Sequence, residues 1–399
     1  MDSPLDYDTI NNMVRRVFAI EDFTLGSAQQ KFLVRYRGHL VAPDSAAAYD
    51  QLAESLKPLG FTPLFRVENG QHIVLIEKSA PPPKTSRPTV NLVLFILTLI
   101  SVLVSGGLSN IENMPSDPIQ AALLIVKTGW PFAVSLLSIL AIHEFGHYLA
   151  GRAHGSKVTL PFFIPMPFTS FGTMGAFINM KEAPKNKRVL MDIAAAGPLS
   201  GYIASLVVIF IGLSLSNLDR IPVMLSAGQG FQIEGNSISY LLLKYLRFGQ
   251  LLPQPVSYGD MSPIVYWLKY FFTGKPFPLG GLDVMIHPVA WAGWAGLLVT
   301  SVNLIPAGQL DGGHIFYLLF GKSGAKKALP VIIVLLAGLG FLWSGWWLWA
   351  GLIFLFGRVY AEPMDQITEL DLPRKILGAI IFLIFILSFT PIPITLMGA

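Results

Sequence analysis

The sequence has no cysteine among its 399 residues, which excludes disulfides, zinc–thiolate sites and cysteine nucleophiles and leaves the redox compartment open. Charge is also scarce. Asp, Glu, Lys and Arg make up 13% of the chain against 53% hydrophobic residues, and the mean hydropathy is +0.57. Soluble globular chains carry about 25% charged residues, so an ordinary soluble protein is excluded. The charge present is nearly balanced, 28 Lys+Arg against 24 Asp+Glu. No arginine-rich arm or basic helix stands out, so nucleic acid is not expected as a partner, and the small positive excess is read as setting membrane orientation. The acidic start, MDSPLDYD, does not resemble a secretory signal peptide.

Long apolar runs take the place of charge. Repeated runs of about 18 or more such residues indicate a polytopic membrane protein, with the lipid bilayer as its surroundings. Candidate spans cover residues 90–108, 130–151, 190–215, 284–305, 329–357 and 376–390. The 329–357 run is long for one crossing. Its Ser344-Gly345, flanked by Trp343, Trp346 and Trp347, reads as a turn in an aromatic interfacial belt, which favours a helical hairpin and seven crossings.

Residues 1–79 read differently. KFLVRYRGHLV (31–41) has the alternation of a strand, SAAAYDQLAESLKPLG (45–60) reads as a helix closed by Gly60, and Glu68-Asn69-Gly70 is a hairpin-turn signal between two apolar runs. The expected architecture is therefore a small soluble α+β N-terminal domain (1–79), a stiff proline-rich linker (80–88), and a polytopic α-helical membrane domain (89–399) of about six to seven spans. Whether the first domain has a partner is not legible.

Orientation follows from the basic residues. Segments 152–188 and 321–328 carry Arg152, Lys157, Lys181, Lys185, Lys187, Arg188, Lys322, Lys326 and Lys327, whereas 109–129 carries only Lys127. The positive-inside rule places the N-terminal domain and the ends of the second and fourth spans in the cytoplasm. The insert 216–283 is then extracytoplasmic, and its runs ISYLLLKYLRF and SPIVYWLKYFF suggest surface-lying helices. LPFFIPMPFTSFGTMGAFINM (160–180) is apolar, yet Pro161, Pro165 and Pro167 forbid a regular helix. Irregular backbone survives at membrane depth only against protein or a wet cavity, so a re-entrant β-like segment is expected there.

The chemistry concentrates in AIHEFGHYLAGR (141–152). His143 and His147, four apart on a helix, project from one face and can share one zinc ion. Glu144 beside them is placed to take a proton from a metal-activated water. Helix-packing histidines are the bland alternative, but titratable groups in spanning segments are expensive and usually functional. Zinc hydrolases use three protein ligands, so a third must come from elsewhere. Glu182 lies in the charged loop KEAPKNKR and reads as solvated. Asp311, in NLIPAGQLDGGH, follows the fourth span at the same cytoplasmic end as the histidines, and topology favours it; Gly312 and Gly313 are read as allowing a tight turn.

HEFGH on one span with NLIPAGQLDGG on a later one resembles the site-2 protease family of intramembrane zinc metalloproteases. The family's N-x-x-P-x-x-x-L-D-G motif is matched by Asn303, Pro306, Leu310, Asp311 and Gly312, and AAAGPLSGY (194–202) looks like its small-residue helix. The soluble front end and the lack of a PDZ-like insert resemble cyanobacterial and chloroplast-type members. The resemblance implies one Zn2+ per chain held by His143, His147 and Asp311, with Glu144 as catalytic acid/base. It also implies a substrate-binding or oxyanion role for Asn303, for which interhelical hydrogen bonding is the alternative, and transmembrane helices of membrane proteins as substrates. The family's re-entrant β element falls on 160–180, and the edge of FGTMGAFINM is expected to pair with an unwound substrate.

Other residues carry plainer expectations. His314, three residues after Asp311, could approach the same metal on a helix but reads as a cap or local hydrogen-bond partner, His287 as an interfacial or packing residue, and His154 as solvated. Gly197, Ser200 and Gly201 read as allowing close helix packing. Two rival functions remain: a non-proteolytic membrane protein that binds or transports zinc, and another H-E-x-x-H metalloprotease class using Glu182, Glu234 or Glu362 as third ligand.

Overall fold

The computed structural model describes residues 7–397, apart from residues 28, 82–86, 110, 112 and 224–230. The acidic start (1–6) and most of the proline-rich linker lie outside the described residues. The rest is mostly helical, with a small antiparallel sheet at the N-terminus.

That sheet is built from α1 (Tyr7–Arg15), β1 (Phe18–Leu25), β2 (Phe32–Leu40), α2 (Ser45–Leu56), β3 (Phe61–Glu68) and β4 (Gln71–Lys78), in strand order β1-β2-β4-β3. Alternation in β2 puts Val34 and Tyr36 inward against Ile10, Val14 and Leu52 of the two helices. Asn69 and Gly70 both have positive φ, the conformation that a tight two-residue hairpin requires. β1 carried no signal that the sequence reading recognised; its outer face is solvated and its alternation is weak.

The membrane part begins with α3 (Pro88–Leu108) and α4 (Pro118–Ala153), continues through the hairpin β5 (Phe162–Pro165) and β6 (Thr173–Phe177), and then α5 (Lys187–Ser214). These three helices are long and apolar enough to cross a membrane. α4 starts twelve residues before the expected 130, because Asp117 caps it and Pro118 sits where no helical N–H is needed. At 36 residues it is about 54 Å long, more than a bilayer core of about 30 Å requires.

The insert holds β7 (Asn217–Arg220), β8 (Phe231–Glu234), α6 (Ile238–Phe248), α7 (Pro263–Thr273) and β9 (Leu282–Met285). The two apolar runs are helices as expected, but Tyr240, Leu252 and Val284 of the segment pack into the main helical core, and it also buries a charge cluster. Lys244, in the first run, is fully buried between Glu234 at 3.1 Å and Asp283 at 3.5 Å. Hydropathy alone does not reveal such a charge cluster, since its members are far apart in sequence.

The chain then runs through α8 (Pro288–Asn303), α9 (Asp311–Leu339), α10 (Gly345–Phe356), α11 (Leu372–Ser388) and β10 (Ile394–Met397). α9 breaks at Gly321, whose φ of 71° no helix permits, so the basic residues 322–327 sit on a helix rather than in a loop. α9 and α10 meet through the turn at Ser344. Trp346 is not an interfacial belt residue: it is buried, its Nε1–H donates to the Pro391 carbonyl at 2.7 Å, and its ring stacks on Phe389.

Candidate metal centre

Three side chains converge between α4, α5 and the start of α9. His143 Nε2 lies 3.3 Å from His147 Nε2 and 3.3 Å from Asp311 Oδ2, and His147 Nε2 lies 3.4 Å from the same oxygen. Two ligands about 2.0–2.1 Å from a tetrahedral ion are about 3.3–3.4 Å apart, so the near-equilateral triangle fits zinc. Among the described residues these three are the one group of histidine and acidic side chains with metal-ligand spacing.

The sequence builds this triangle locally. One helical turn separates the histidines, so both rings leave the same face of α4. His147 Nδ1 lies 2.7 Å from the Ile193 carbonyl on α5. A carbonyl only accepts, so Nδ1 carries the proton and Nε2 keeps its lone pair for an ion. α5 approaches this closely because it is glycine at the contacts. A Cβ at residue 197 would lie 2.1 Å from His147 Nε2, and one at residue 201 would lie 2.7 Å from His143 Nδ1. The expected close packing is thus a specific accommodation of the two rings. Ser200 adds a hydrogen bond to the Ile142 carbonyl at 3.0 Å.

Asp311 opens α9 after the loop 304–310. The glycines following it are needed for space, not for turning: a Cβ on Gly312 would come within 2.0 Å of the Leu304 carbonyl oxygen, and one on Gly313 within 2.4 Å of that of Gly308. The left-handed residue that makes the turn is Gly308, with φ 61°.

A cavity of about 480 Å³ opens over the triangle, lined by Glu144, Asn303, His314, Tyr360 and the stretch Ala176–Met180. Glu144 is buried, and the Ile178 backbone N–H just beyond β6 donates to its carboxylate. The hairpin is thereby placed beside Glu144. It is held from behind by polar residues of α3: Asn91 Nδ2 donates to the carbonyls of Leu160 and Pro161 at 3.0 and 2.9 Å, and Ser101 to that of Gly172 at 2.6 Å. Their signal was present, since Asn91, Thr98, Ser101 and Ser105 recur on one face of an otherwise apolar span.

The rival third ligands are engaged elsewhere. Glu182 pairs with Lys157 at 2.7 Å, Glu234 with Lys244, and Glu362 with Lys322 at 2.6 Å; this last pair holds the Glu362 carboxyl below its usual range. His287 caps α8 through Val289 N–H. His154 is not simply solvated: it pairs with Asp192 at 2.9 Å, and Arg374 grips the same carboxylate with two bonds of 2.8 and 2.6 Å, tying α4, α5 and α11 together.

The chain matches known proteins in sequence. The model of peptidase family M50 matches residues 131–344, just over half of the chain, and this range contains all three triangle residues, Glu144 and Asn303. The chain belongs to peptidase family M50, the site-2 protease family. It is 31% identical over 298 residues, 73% of its length, to an Arabidopsis thaliana protein described as "Probable zinc metalloprotease EGY2, chloroplastic". It is likewise 31% identical over 336 residues, 80% of its length, to the Oryza sativa subsp. japonica "Probable zinc metalloprotease EGY1, chloroplastic". The chain spans about half the length of these relatives, 47% and 52% respectively. No solved structure matches it.

Proposed function

We propose that this protein is an intramembrane zinc metalloprotease that hydrolyses peptide bonds in or near the transmembrane segments of other membrane proteins. The observation that carries the reading is the triangle of His143, His147 and Asp311 with Glu144 beside it, opening on one cavity. A zinc-transport protein would need polar groups along several spans, whereas these collect at one depth.

Bound by the three donors, zinc supplies a Lewis acid that acidifies water and polarises the scissile carbonyl. Glu144 takes the proton of the attacking water and returns it to the leaving amine. Asn303 presents an amide to the substrate carbonyl from across the cavity. A helical substrate hides its carbonyls in i→i−4 bonds and must unwind before attack. The stretch from Gly172 to Met180 offers it a strand edge, so the unwound segment trades helical bonds for ladder bonds.

In this reading residues 1–79 form a soluble domain joined by the linker 80–88 to a protease domain, 89–399. α8, α9, α10 and α11 add crossings to the three long helices, six to seven in all. The N-terminal domain and the cavity mouth face the cytoplasm, and 216–283 lies on the other side. Proteomics of membrane fragments, comparing wild type with Glu144→Gln, tests the function: fragments that vanish in the variant identify the substrates. Identical fragment sets would remove the proteolytic reading. Proline at alternate positions from Gly172 to Met180 tests the strand pairing, which fails if cleavage survives every one.

A further inference from the structure

The segment between α10 and α11 touches both the N-terminal sheet and the loop that carries Asp311. At one end Tyr360 lines the cavity with Gln309 and Leu310 of the loop before Asp311, and its ring stacks on Tyr317 of α9 at 5.6 Å and 17°. Gly308 itself lies so close to Gly357 that a Cβ would come within 2.7 Å of the Gly357 Cα. A few residues on, the segment forms isolated parallel bridges to two others, Asp365 pairing with Phe65 on one side and Asn186 on the other. Phe65 of β3 donates to the Met364 carbonyl and accepts from Gln366, both at 3.0 Å. On the opposite edge Met364 and Asp365 donate to the carbonyls of Pro184 and Lys185 at 2.9 and 2.8 Å, immediately before Asn186 caps α5.

Side chains lock this ladder. Arg66 Nη1 donates to the carbonyls of Pro363 and Met364 at 3.2 and 2.6 Å. Asp365 and Thr368 are buried and hydrogen-bond with each other, and Ser45 of α2 meets Thr368 at 2.5 Å. A docked soluble domain needs only a surface patch. Here its edge strand is continued by a segment that ends against a metal-ligand loop.

We propose that residues 358–370 form a positioning strap through which the N-terminal sheet sets the loop bearing Asp311, with Tyr360 as the positioning residue. This rests on the reading of Asp311 as a metal ligand. Docking of the sheet fixes residues 363–366 and these fix Tyr360; its stack on Tyr317 and the packing of Gly357 against Gly308 then hold the entry to α9. Whatever displaces the sheet then loosens the metal site without touching it.

The test is backbone hydrogen exchange and zinc release to a chromophoric chelator, both on the full-length protein in lipid nanodiscs. Tyr360→Leu removes the ring stack on Tyr317; Arg66→Met frees the two strap carbonyls. Both variants are expected to speed exchange at residues 307–310 and zinc release by about tenfold, with β1 and β2 unchanged. Should Arg66→Met also loosen β1 and β2, Ser45→Ala repeats the test with a smaller change. Faster exchange at 363–368 with 307–310 and zinc release as in wild type would overturn the proposal, leaving the segment a mere tether. Neither readout needs a substrate, so a protein that proves inactive as a protease would not be mistaken for an uncoupled one.

Discussion

The Nδ1 of His147 lies 2.7 Å from the carbonyl oxygen of Ile193, and a helix with glycine at 197 is what lets the two come so close. One hydrogen bond fixes the tautomer of a proposed ligand, and one missing methyl group makes room for its other nitrogen. α5 is therefore part of the proposed metal centre although it contributes no residue to the triangle.

Gly197→Ala places a methyl where the His147 ring now is, so bound zinc is expected to fall by more than tenfold while helicity is retained. Gly201→Ala, whose Cβ would meet His143 less closely, weakens zinc binding to a smaller extent. Gly338→Ala, with nothing within 4 Å, serves as the control and leaves zinc content unchanged. Metal analysis of the three purified variants, with circular dichroism for the fold, decides the matter.

Asn91→Leu leaves the Leu160 and Pro161 carbonyls without their donor inside an apolar environment. A buried unsatisfied polar group costs about 1–3 kcal/mol, and here the cost falls on the hairpin rather than on α3. Amide exchange at residues 162–177 should quicken, and cleavage should slow with zinc content intact. Unchanged exchange there would show that packing against α3 alone holds the hairpin.

How much of this was legible in sequence depended on separation along the chain. The histidine pair and the Asn303–Gly312 motif are local patterns whose spacing maps onto one helix face or one loop. The Asn69-Gly70 hairpin and the helix at 45 were legible for the same reason. What escaped were features closed by distant partners. Lys244 looks like a surface lysine until Glu234 and Asp283 surround it, and His154 looks solvated until Asp192 and Arg374 reach it. Trp346 looks like a belt residue until the Pro391 carbonyl takes its N–H. The strap at 358–370 carries no motif, because its meaning lies in backbone bonds to residues some 180 and 300 positions away.

Lys244→Met leaves two buried carboxylates facing each other without their cation. Breaking a buried ion pair from one side costs about 3–5 kcal/mol, so the variant should unfold its segment at lower temperature, with exchange rising first in α6 and β9. Adding Asp283→Asn to Lys244→Met should recover part of the loss. A double variant no more stable than the single one would contradict this account of the cluster.

The same cluster predicts a pH dependence. Burial pushes the Asp283 carboxyl up to about 6 from its ordinary 3.8; the Lys244 ammonium opposes the rise and the Glu234 carboxylate adds to it. A carboxyl raised in the folded state binds its proton more tightly there than when unfolded. Its contribution to stability is therefore complete below about pH 4 and is lost as pH rises through 6. Between pH 7.5 and 5, protection of β9 and α6, corrected for intrinsic exchange, should increase. Asp283→Asn should flatten that change.

The most direct test is zinc stoichiometry and cleavage measured together on the full-length protein. Wild type should hold one zinc per chain and cleave. Glu144→Gln should keep its zinc while cleavage falls by at least about 10²-fold, the loss expected when a general base is removed. Asp311→Ala should lose both. An Asp311→Ala protein that retained one zinc per chain, or a Glu144→Gln protein that cleaved like wild type, would contradict the assignment of the centre.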